Sequence, residues 1–401
     1  MYYRQPRYFG EFQCVGGDCL ETCCYGWRID WKKEEVDKVK NAKNISSELK
    51  ELVEKSFMPN LKFEERLQIE FNEQGKCPLQ TAEGLCRIQK ELGAEYLSHT
   101  CMFYPRHELT IPKFQYRFMH LSCCEVIKKL LFEQNSCDLT NVRGNNEFEN
   151  SDFEFLDEVI KKRPEIRYLR DTFEFFYELI SDKKIPIETA IIFGALAAQK
   201  LTKISANGQY DIIPKALKAF RKQFHNAAQL KTIDDINPNY YLKFGFLSEL
   251  FEIAVGQGVT VLLHDQTGTP NIDLYNRGEQ GLHEALKGRD FFLRNLALNL
   301  LFEFNVPFRF EDRTIFENYS LFAAAFGLLK LNLIAVCSDK KGITICTHGQ
   351  EFVYHGDDKL IGMTAIICRG ICQGEDKQKA IIALLNDNGL TTPAYLALLV
   401  K

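Results

Sequence analysis

The chain has 401 residues, of which 45% are hydrophobic and 26% charged, and its formal net charge at pH 7 is −4. These values exclude a disordered, collagen-like or coiled-coil chain, and the length predicts about two domains. Without a basic excess, a nucleic acid is a poor candidate partner.

Cysteine is the residue type that departs from the average. The chain has 14 cysteines, and ten of them fall within the first 137 residues. The N-terminus lacks the apolar segment and small-residue cleavage site of a secretory signal, which predicts a cytoplasmic protein. In that compartment thiols stay reduced, so clustered cysteines more often bind metal or take part in catalysis than form disulfides.

The first cysteine cluster lies in CVGGDCLETCCYGW, which begins at Cys14. Asp18 followed by Glu21 has the form of a capping box, which predicts a helix beginning near Cys19. On that helix Cys19 and Cys23 share one face, because residues four apart are neighbours. Cys24 lies about 100° further round the helix. The two glycines after Cys14 would let its thiol fold back toward the same point.

The second cluster lies between residues 77 and 106. Cys77 and Cys86 stand beside Pro78 and Gly84, and such turn residues suit loops that present sulfur to a metal. Residues 87–97 are predicted to form a short helix that leads to Cys101. An all-sulfur site suits zinc or an iron–sulfur cluster, and the spacing leaves both open.

Other cysteines and histidines receive a different interpretation. Cys123 and Cys124 begin an apolar helical pattern, so they are predicted to pack as small hydrophobes. The four cysteines of the last third of the chain are given the same interpretation. His99 lies two residues before Cys101 and is a candidate substitute ligand.

The rest of the chain reads as mainly helical. The polar, asparagine-rich residues 141–152 are predicted to be a linker. Residues 319–337 are apolar but include Lys330 and Asn332, which favours a buried helix over a membrane span. Residues 342–347 and 351–355 are candidates for one β-hairpin. Apolar residues at steps of three and four predict further helices over 166–180, 185–201, 210–230, 241–255, 281–304 and 378–400.

Common cofactor and catalytic motifs are absent from the sequence. It contains no GxGxxG after a strand, no GxxxxGK[ST], no HExxH and no GxSxG. If this protein binds a nucleotide-like cofactor, we therefore do not expect a standard Rossmann sheet to hold it.

Taken in order, the two cysteine segments resemble a known signature. FQCVGGDCLETCCYGWRID followed by CPLQTAEGLCRIQKELGAEYLSHTCMFYPR is similar to the flagellin lysine-N-methylases, and to small bacterial proteins with a zinc- or iron-chelating CxxxCC-type domain. The segment 290–308 also resembles the downstream region of the methylases. Carried onto this chain, the metal-binding positions implied by the resemblance are Cys14, Cys19, Cys23, Cys24, Cys77, Cys86 and Cys101, with Cys123 and Cys124 as possible further positions. Its non-cysteine positions are Trp27, Tyr104, Pro105 and Arg106.

The resemblance implies a protein lysine N-methyltransferase that acts on surface lysines of bacterial flagellin. It implies S-adenosylmethionine as methyl donor and a 4Fe-4S cluster held by the N-terminal cysteines, with zinc as the second choice of metal. Tyr104 is expected to orient or deprotonate the lysine amine, and Arg106 to hold a carboxylate. Two alternatives stay open: a zinc-stabilised binding module, and an iron–sulfur electron-transfer protein without methyltransferase activity.

The predicted architecture is mainly α. A cysteine-rich, irregular metal-binding region with short helices, residues 1–140, is expected to pack on a helical domain formed by residues 152–401.

Overall fold

The computed structural model describes residues 2–27, 29–61, 63–111, 114–143, 159–256, 269, 271–307, 313–339, 343–347, 350–372 and 374–401. Most of these residues are helical, which confirms the mainly α prediction. The helices are α1 Arg7–Glu11, α2 Lys33–Lys40, α3 Ser47–Lys55, α4 Arg87–Leu92, α5 His99–Phe103, α6 Cys124–Phe132, α7 Leu169–Ser181, α8 Ile187–Ala206, α9 Ile213–Gln223, α10 Ala227–Asp234, α11 Tyr240–Val255, α12 Ile272–Ala285, α13 Phe292–Glu303, α14 Ile315–Cys337, α15 Asp358–Ile371, α16 Glu375–Asp387 and α17 Pro393–Val400.

The N-terminal region contains two β-sheets, which corrects the prediction of an irregular region. A four-stranded sheet has the order β5-β6-β1-β7, with β1 parallel to β6 and antiparallel to β7, and a three-stranded antiparallel sheet has the order β2-β4-β3. Most of these strands are short or do not alternate regularly, but FQYRF at residues 114–118 alternates apolar and polar residues, a strand pattern that the prediction of an irregular region overlooked. The strands are β1 Tyr2–Pro6, β2 Asp30–Lys32, β3 Phe57–Pro59, β4 Arg66–Ile69, β5 Arg106–Ile111, β6 Phe114–Met119 and β7 Leu139–Arg143. The predicted hairpin is confirmed as β8 Ile343–Thr347 and β9 Gln350–Tyr354.

Two hydrophobic cores are present. The smaller one, called the second core below, lies between the three-stranded sheet and helices α2 to α4, and Trp31 is its largest fully buried side chain. The main core joins the four-stranded sheet to the helices: the ring centroid of Tyr116 on β6 lies 4.7 Å from that of Phe173 on α7 and 6.0 Å from that of Phe302 on α13. The main core therefore draws residues from both predicted domains, and the division between them stays a prediction.

The predicted buried helix is confirmed as α14, which lies at the centre of the main core. It is long and apolar enough to span a membrane, but its apolar window is completely buried inside the fold, as in the core helix of a globular protein. Helix α12 packs closely against it through glycines. A Cβ on Gly278 would lie 2.3 Å from the carbonyl oxygen of Ile334, and one on Gly281 would lie 2.2 Å from that of Cys337. Only glycine allows this approach of the two backbones.

Most predicted helices are present, and four of them are divided. The prediction over 87–97 ends as α4 at Leu92, because Gly93, at φ 104°, interrupts the helix before a 3-10 turn. The prediction over 281–304 spans the end of α12 and all of α13, because Gly288, at φ 75°, interrupts the helix. The prediction over 378–400 divides in the same way at Gly389, at φ 64°. Residues 210–230 divide between α9 and α10. Residues 141–143 of the predicted linker belong to β7, and residues 144–152 lie outside the described residues.

One lysine is fully buried in the main core. Lys243, on α11, has no exposed surface, and its Nζ donates to the hydroxyl of Tyr275 at 3.5 Å. Burial, with a smaller contribution from the charge of Lys330, lowers the pKa of Lys243 to about 7. Lys330 itself donates to Glu188 at 2.8 Å.

Candidate functional site

A cavity of about 230 Å³ lies where the two cores meet. All seven cysteines implied by the resemblance line it together with Tyr104 and Arg106, although these residues are spread over more than 90 positions. They are Cys14, Cys19, Cys23, Cys24, Cys77, Cys86, Cys101, Tyr104 and Arg106. An eighth cysteine, Cys123, also lines the cavity.

Four of these cysteines pack against the second core: Cys24, Cys77, Cys86 and Cys101. The backbone N–H of Cys77 donates to the carbonyl of Cys24 at 2.9 Å, which joins the two cysteine segments. Cys101 is held at the start of α5, where its N–H donates to the capping hydroxyl of Ser98 at 3.1 Å. Burial raises the pKa of the Cys101 thiol to about 12 and also raises that of Cys86.

Of the other lining cysteines, Cys19 and Cys123 pack against the main core, and Cys124 is buried in that core beside them. A hydrogen bond from the Cys124 thiol is the largest influence on Cys19 and lowers its pKa to about 7. Cys124 is buried, as predicted, but Cys123 lines the cavity, and burial raises its pKa to about 12. Packing alone therefore does not describe the Cys123–Cys124 pair.

Glycines bring the two cysteine loops together. A Cβ on Gly17 would lie 2.3 Å from the carbonyl oxygen of Glu83, and Gly84 adopts φ 79° beside it. Gly16, at φ 61°, reverses the chain after Cys14, as the sequence predicted. The loop that carries Cys14 is thereby held against the loop that precedes Cys86.

The predicted helix at Cys19 is wrong. Gly16–Asp18 form one 3-10 turn, and the backbone is extended at Cys19. The Glu21 side chain does not cap a helix, because it is buried and bound by the C-terminal half of the chain. Its Oε1 accepts a hydrogen bond from the Tyr354 hydroxyl, and its Oε2 lies 3.2 Å from Nη1 of Arg369. Burial raises the pKa of Glu21, and the Arg369 charge opposes that rise.

Two aromatic rings form another part of the cavity wall. The ring centroids of Trp27 and Tyr104 are 5.3 Å apart. Trp27 Nε1 donates to the carbonyl of Cys23 at 2.6 Å, and the Tyr104 hydroxyl is 2.9 Å from Oγ of Ser122. Burial raises the pKa of Tyr104 well above its ordinary value. The Arg106 guanidinium lies over the Phe12 ring, 5.1 Å from its centroid.

His99 is not among the residues that line the cavity. Its ring packs on Phe103, with 4.5 Å between the centroids. Within the described parts of the chain, no three Cys, His, Asp or Glu side chains are grouped as ligands of a metal ion. The eight thiols are instead distributed around the cavity wall. Cys337, Cys368 and Cys372 are buried, as predicted, and the Cys346 side chain lies outside the described parts.

Residues missed by the sequence analysis come from distant parts of the chain. Ser122 and Glu125 line the cavity, and Tyr354 and Arg369 bind the side chain of Glu21, which also lines it. No local motif marks these positions, because their role depends on tertiary packing. The Cys123–Cys124 pair was the one available signal for the segment that contains Ser122.

Comparison with known proteins decides the family. A family model described as the FliB lysine N-methylase C-terminal domain matches residues 173–399, which is more than half of the chain. The chain belongs to the flagellin lysine-N-methylase family. The resemblance inferred from the cysteine segments is thereby confirmed at the level of the family.

Individual relatives match over a shorter length. The lysine-N-methylase of Salmonella typhimurium is 32% identical over 143 residues, which is 34% of this chain and 34% of that protein. The flagellar biosynthetic protein FliU of Salmonella muenchen is 32% identical over 142 residues, which is 34% of this chain and 80% of that protein. The match thus spans about a third of the lysine-N-methylase. No solved structure matches the chain.

Proposed function

We propose that this protein is a lysine N-methyltransferase that uses S-adenosylmethionine, acts on surface lysines of flagellin, and holds an iron–sulfur cluster with cysteines of the cavity. The family and the printed names of the relatives support lysine methylation and a flagellar context. The observation that carries the cluster is the convergence of eight thiols on one cavity.

The donor set fits an iron–sulfur cluster. Such clusters are held by cysteine thiolates, and they are larger than a single metal ion, so their ligands surround a volume. Cys24, Cys77, Cys86 and Cys101 would supply sulfur from the second-core side, and Cys19 and Cys123 from the main-core side. When bound, a cluster with three cysteine ligands would offer one iron as a site for S-adenosylmethionine.

The residues of the cavity can prepare a lysine for methyl transfer. The reaction forms a nitrogen–carbon bond as the methyl–sulfur bond breaks, so the amine must first lose its proton, and a free lysine has a pKa near 10.4. Apolar wall residues such as Phe12 and Leu97 exclude water, which favours the neutral amine. Since the pKa of Tyr104 is raised, its phenol stays protonated and is suited to orient the amine. Arg106 supplies a charge for a carboxylate.

The first experiment measures iron, sulfide and zinc in anaerobically purified protein, together with its visible spectrum. Near-stoichiometric iron and sulfide are expected in the wild type and should be lost in Cys19→Ser and Cys101→Ser. Cys368→Ser is the matched control, because Cys368 is buried in the main core away from the cavity wall. Zinc without iron would overturn the cluster and favour a binding module.

The second experiment tests methyl transfer itself. Labelled methyl groups from S-adenosylmethionine are expected to appear on flagellin lysines, with the modified positions identified by mass spectrometry. Iron-loaded protein that transfers no methyl group to flagellin would overturn the methyltransferase proposal and favour an electron-transfer protein.

A further inference from the structure

The aromatic part of the cavity wall has no role in holding metal. Trp27 and Tyr104 both line the same cavity as the thiols. We propose that these two rings bind the alkylammonium side chain of the substrate lysine. This inference rests on the proposed function and adds to it the place where the substrate side chain lies.

Hydrogen bonds hold both rings in place. Trp27 is anchored through Nε1 to the carbonyl of Cys23, and Tyr104 through its hydroxyl to Ser122. Their planes differ by 34°, so they form a tilted pair. Rings held in this way lose little freedom when a ligand binds, which favours affinity.

The chemistry of the surrounding wall fits a long aliphatic cation. Aromatic faces attract ammonium groups, and they do so more strongly when water is excluded. Phe12 and Leu97 provide apolar surface for the four methylene groups of a lysine.

The mouth of the cavity fits a substrate that is a protein. Leu85 and Met102 line the cavity yet keep 38% and 42% of their surface exposed. Large apolar side chains exposed beside a cavity provide contact area for the residues that flank a target lysine. The lysine side chain would thus enter between them and end at the Trp27 and Tyr104 rings.

Tryptophan fluorescence gives a position-specific test. The chain has 2 tryptophans, and Trp31 is buried in the second core with 1% of its surface exposed. In full-length Trp31→Phe protein, the emission reports on Trp27. Addition of a lysine-containing peptide from a flagellin surface is expected to change that emission. The same peptide with norleucine in place of lysine lacks the ammonium and is expected to have little effect.

Calorimetric titration of the variants with the same peptide distinguishes the contribution of the aromatic ring to affinity from that of its polar group. Trp27→Leu and Tyr104→Leu remove an aromatic face and should each weaken peptide binding about tenfold. Trp27→Phe and Tyr104→Phe keep an aromatic face but lose the hydrogen bond that anchors the ring, so they should weaken binding by no more than about threefold. Phe63→Leu is the matched control, because Phe63 is an exposed aromatic residue that does not line the cavity. Unchanged iron content in each variant would show that its fold is intact.

The outcomes separate this inference from the proposed function. Flagellin methylated by the wild type, with peptide affinity unchanged in both leucine variants, would overturn the aromatic site alone. Leucine variants that bind the peptide normally but bind S-adenosylmethionine more weakly would assign the rings to the methyl donor. That result would also overturn the aromatic lysine site. A wild type that binds both peptides equally and methylates neither peptide nor flagellin would overturn the function together with the site.

Discussion

Glu21 is held by partners from the far end of the chain. Its carboxylate and the Arg369 guanidinium expose 2% and 9% of their side chains, and Tyr354 completes the group. Burial of two charges carries a desolvation cost, which their mutual attraction offsets. If one charge is removed, the other stays buried without that compensation. The group therefore fixes how the C-terminal half meets the cysteine cavity.

Removal of one charge of this pair should be costly. Arg369→Met leaves the buried carboxylate without its cation and is expected to lower the free energy of unfolding by about 3–5 kcal/mol, measured by urea denaturation. The double variant Glu21→Gln with Arg369→Met should be more stable than Arg369→Met alone. Arg7→Met, in the exposed pair with Glu11, is the control and should show no measurable loss. A fully stable Arg369→Met protein would contradict this account.

Lys243 gives a stability change that depends on pH. Its pKa falls from 10.5 in the unfolded chain to about 7 in the folded protein. Between these values the unfolded state binds more protons, so stability rises with pH. Lys243→Met should therefore gain up to about 4 kcal/mol at pH 7 and below, and the gain should vanish near pH 10.5.

The measurement for Lys243 is urea denaturation of variant and wild type across that pH range. Lys50→Met, at an exposed position of α3, is the control, because it removes no buried charge. A gain for Lys243→Met that is the same at pH 7 and pH 10 would show that burial of the ammonium is not its cause.

At the scale of single residues, the sequence was informative where chemistry is carried by type and spacing. Spacing and turn residues beside the thiols indicated a metal site, and the resemblance to the methylases supplied the seven cysteines with Tyr104 and Arg106; the structure brings all of them to one cavity. The partners of Glu21 could not be predicted, because they lie more than 330 positions away. Cys123 was only a possible further position of the motif, because its apolar neighbours in sequence favoured packing.

At the scale of elements, close contact between α12 and α14 depends on a missing side chain. Gly278→Ala would place a methyl group against the Ile334 carbonyl and should destabilise the protein by about 1–3 kcal/mol in urea denaturation. Gly245→Ala, on α11, is the matched control: no atom lies within 4 Å of its added Cβ, so it should stabilise by about 0.5–1 kcal/mol. Equal effects of the two substitutions would refute the role of the α12–α14 contact.

Long helices could be predicted from the sequence, and their interruptions could not. Apolar spacing located α7, α8, α11 and α14, because each must bury a face or its whole surface. The apolar spacing continues across Gly288 and Gly389. It therefore gave no sign of the helix breaks that occur where these glycines adopt positive φ values. The short strands carried no signal of comparable strength.

At the scale of the whole molecule, the cysteine-rich region does not stand alone. Its four-stranded sheet is covered by rings from α7 and α13. A fragment of residues 1–140 would expose that face of the sheet. We expect such a fragment to bind a hydrophobic dye, to show weaker near-ultraviolet circular dichroism than the full chain because only the second core stays packed, and to hold less iron than the full chain. A fragment that unfolds cooperatively with full metal content would contradict this expectation.

The position of Arg369 and Tyr354 in the sequence has a consequence for the time at which the cavity is completed. A ribosome makes the chain from its N-terminus, so the cysteines between positions 14 and 101 are synthesised long before these two residues. Throughout that interval the Glu21 carboxylate lacks the groups that bury it in the finished protein. The thiols are therefore present on the nascent chain before the residues that hold Glu21 have been synthesised. Completion of the cavity requires nearly the whole chain to have been translated.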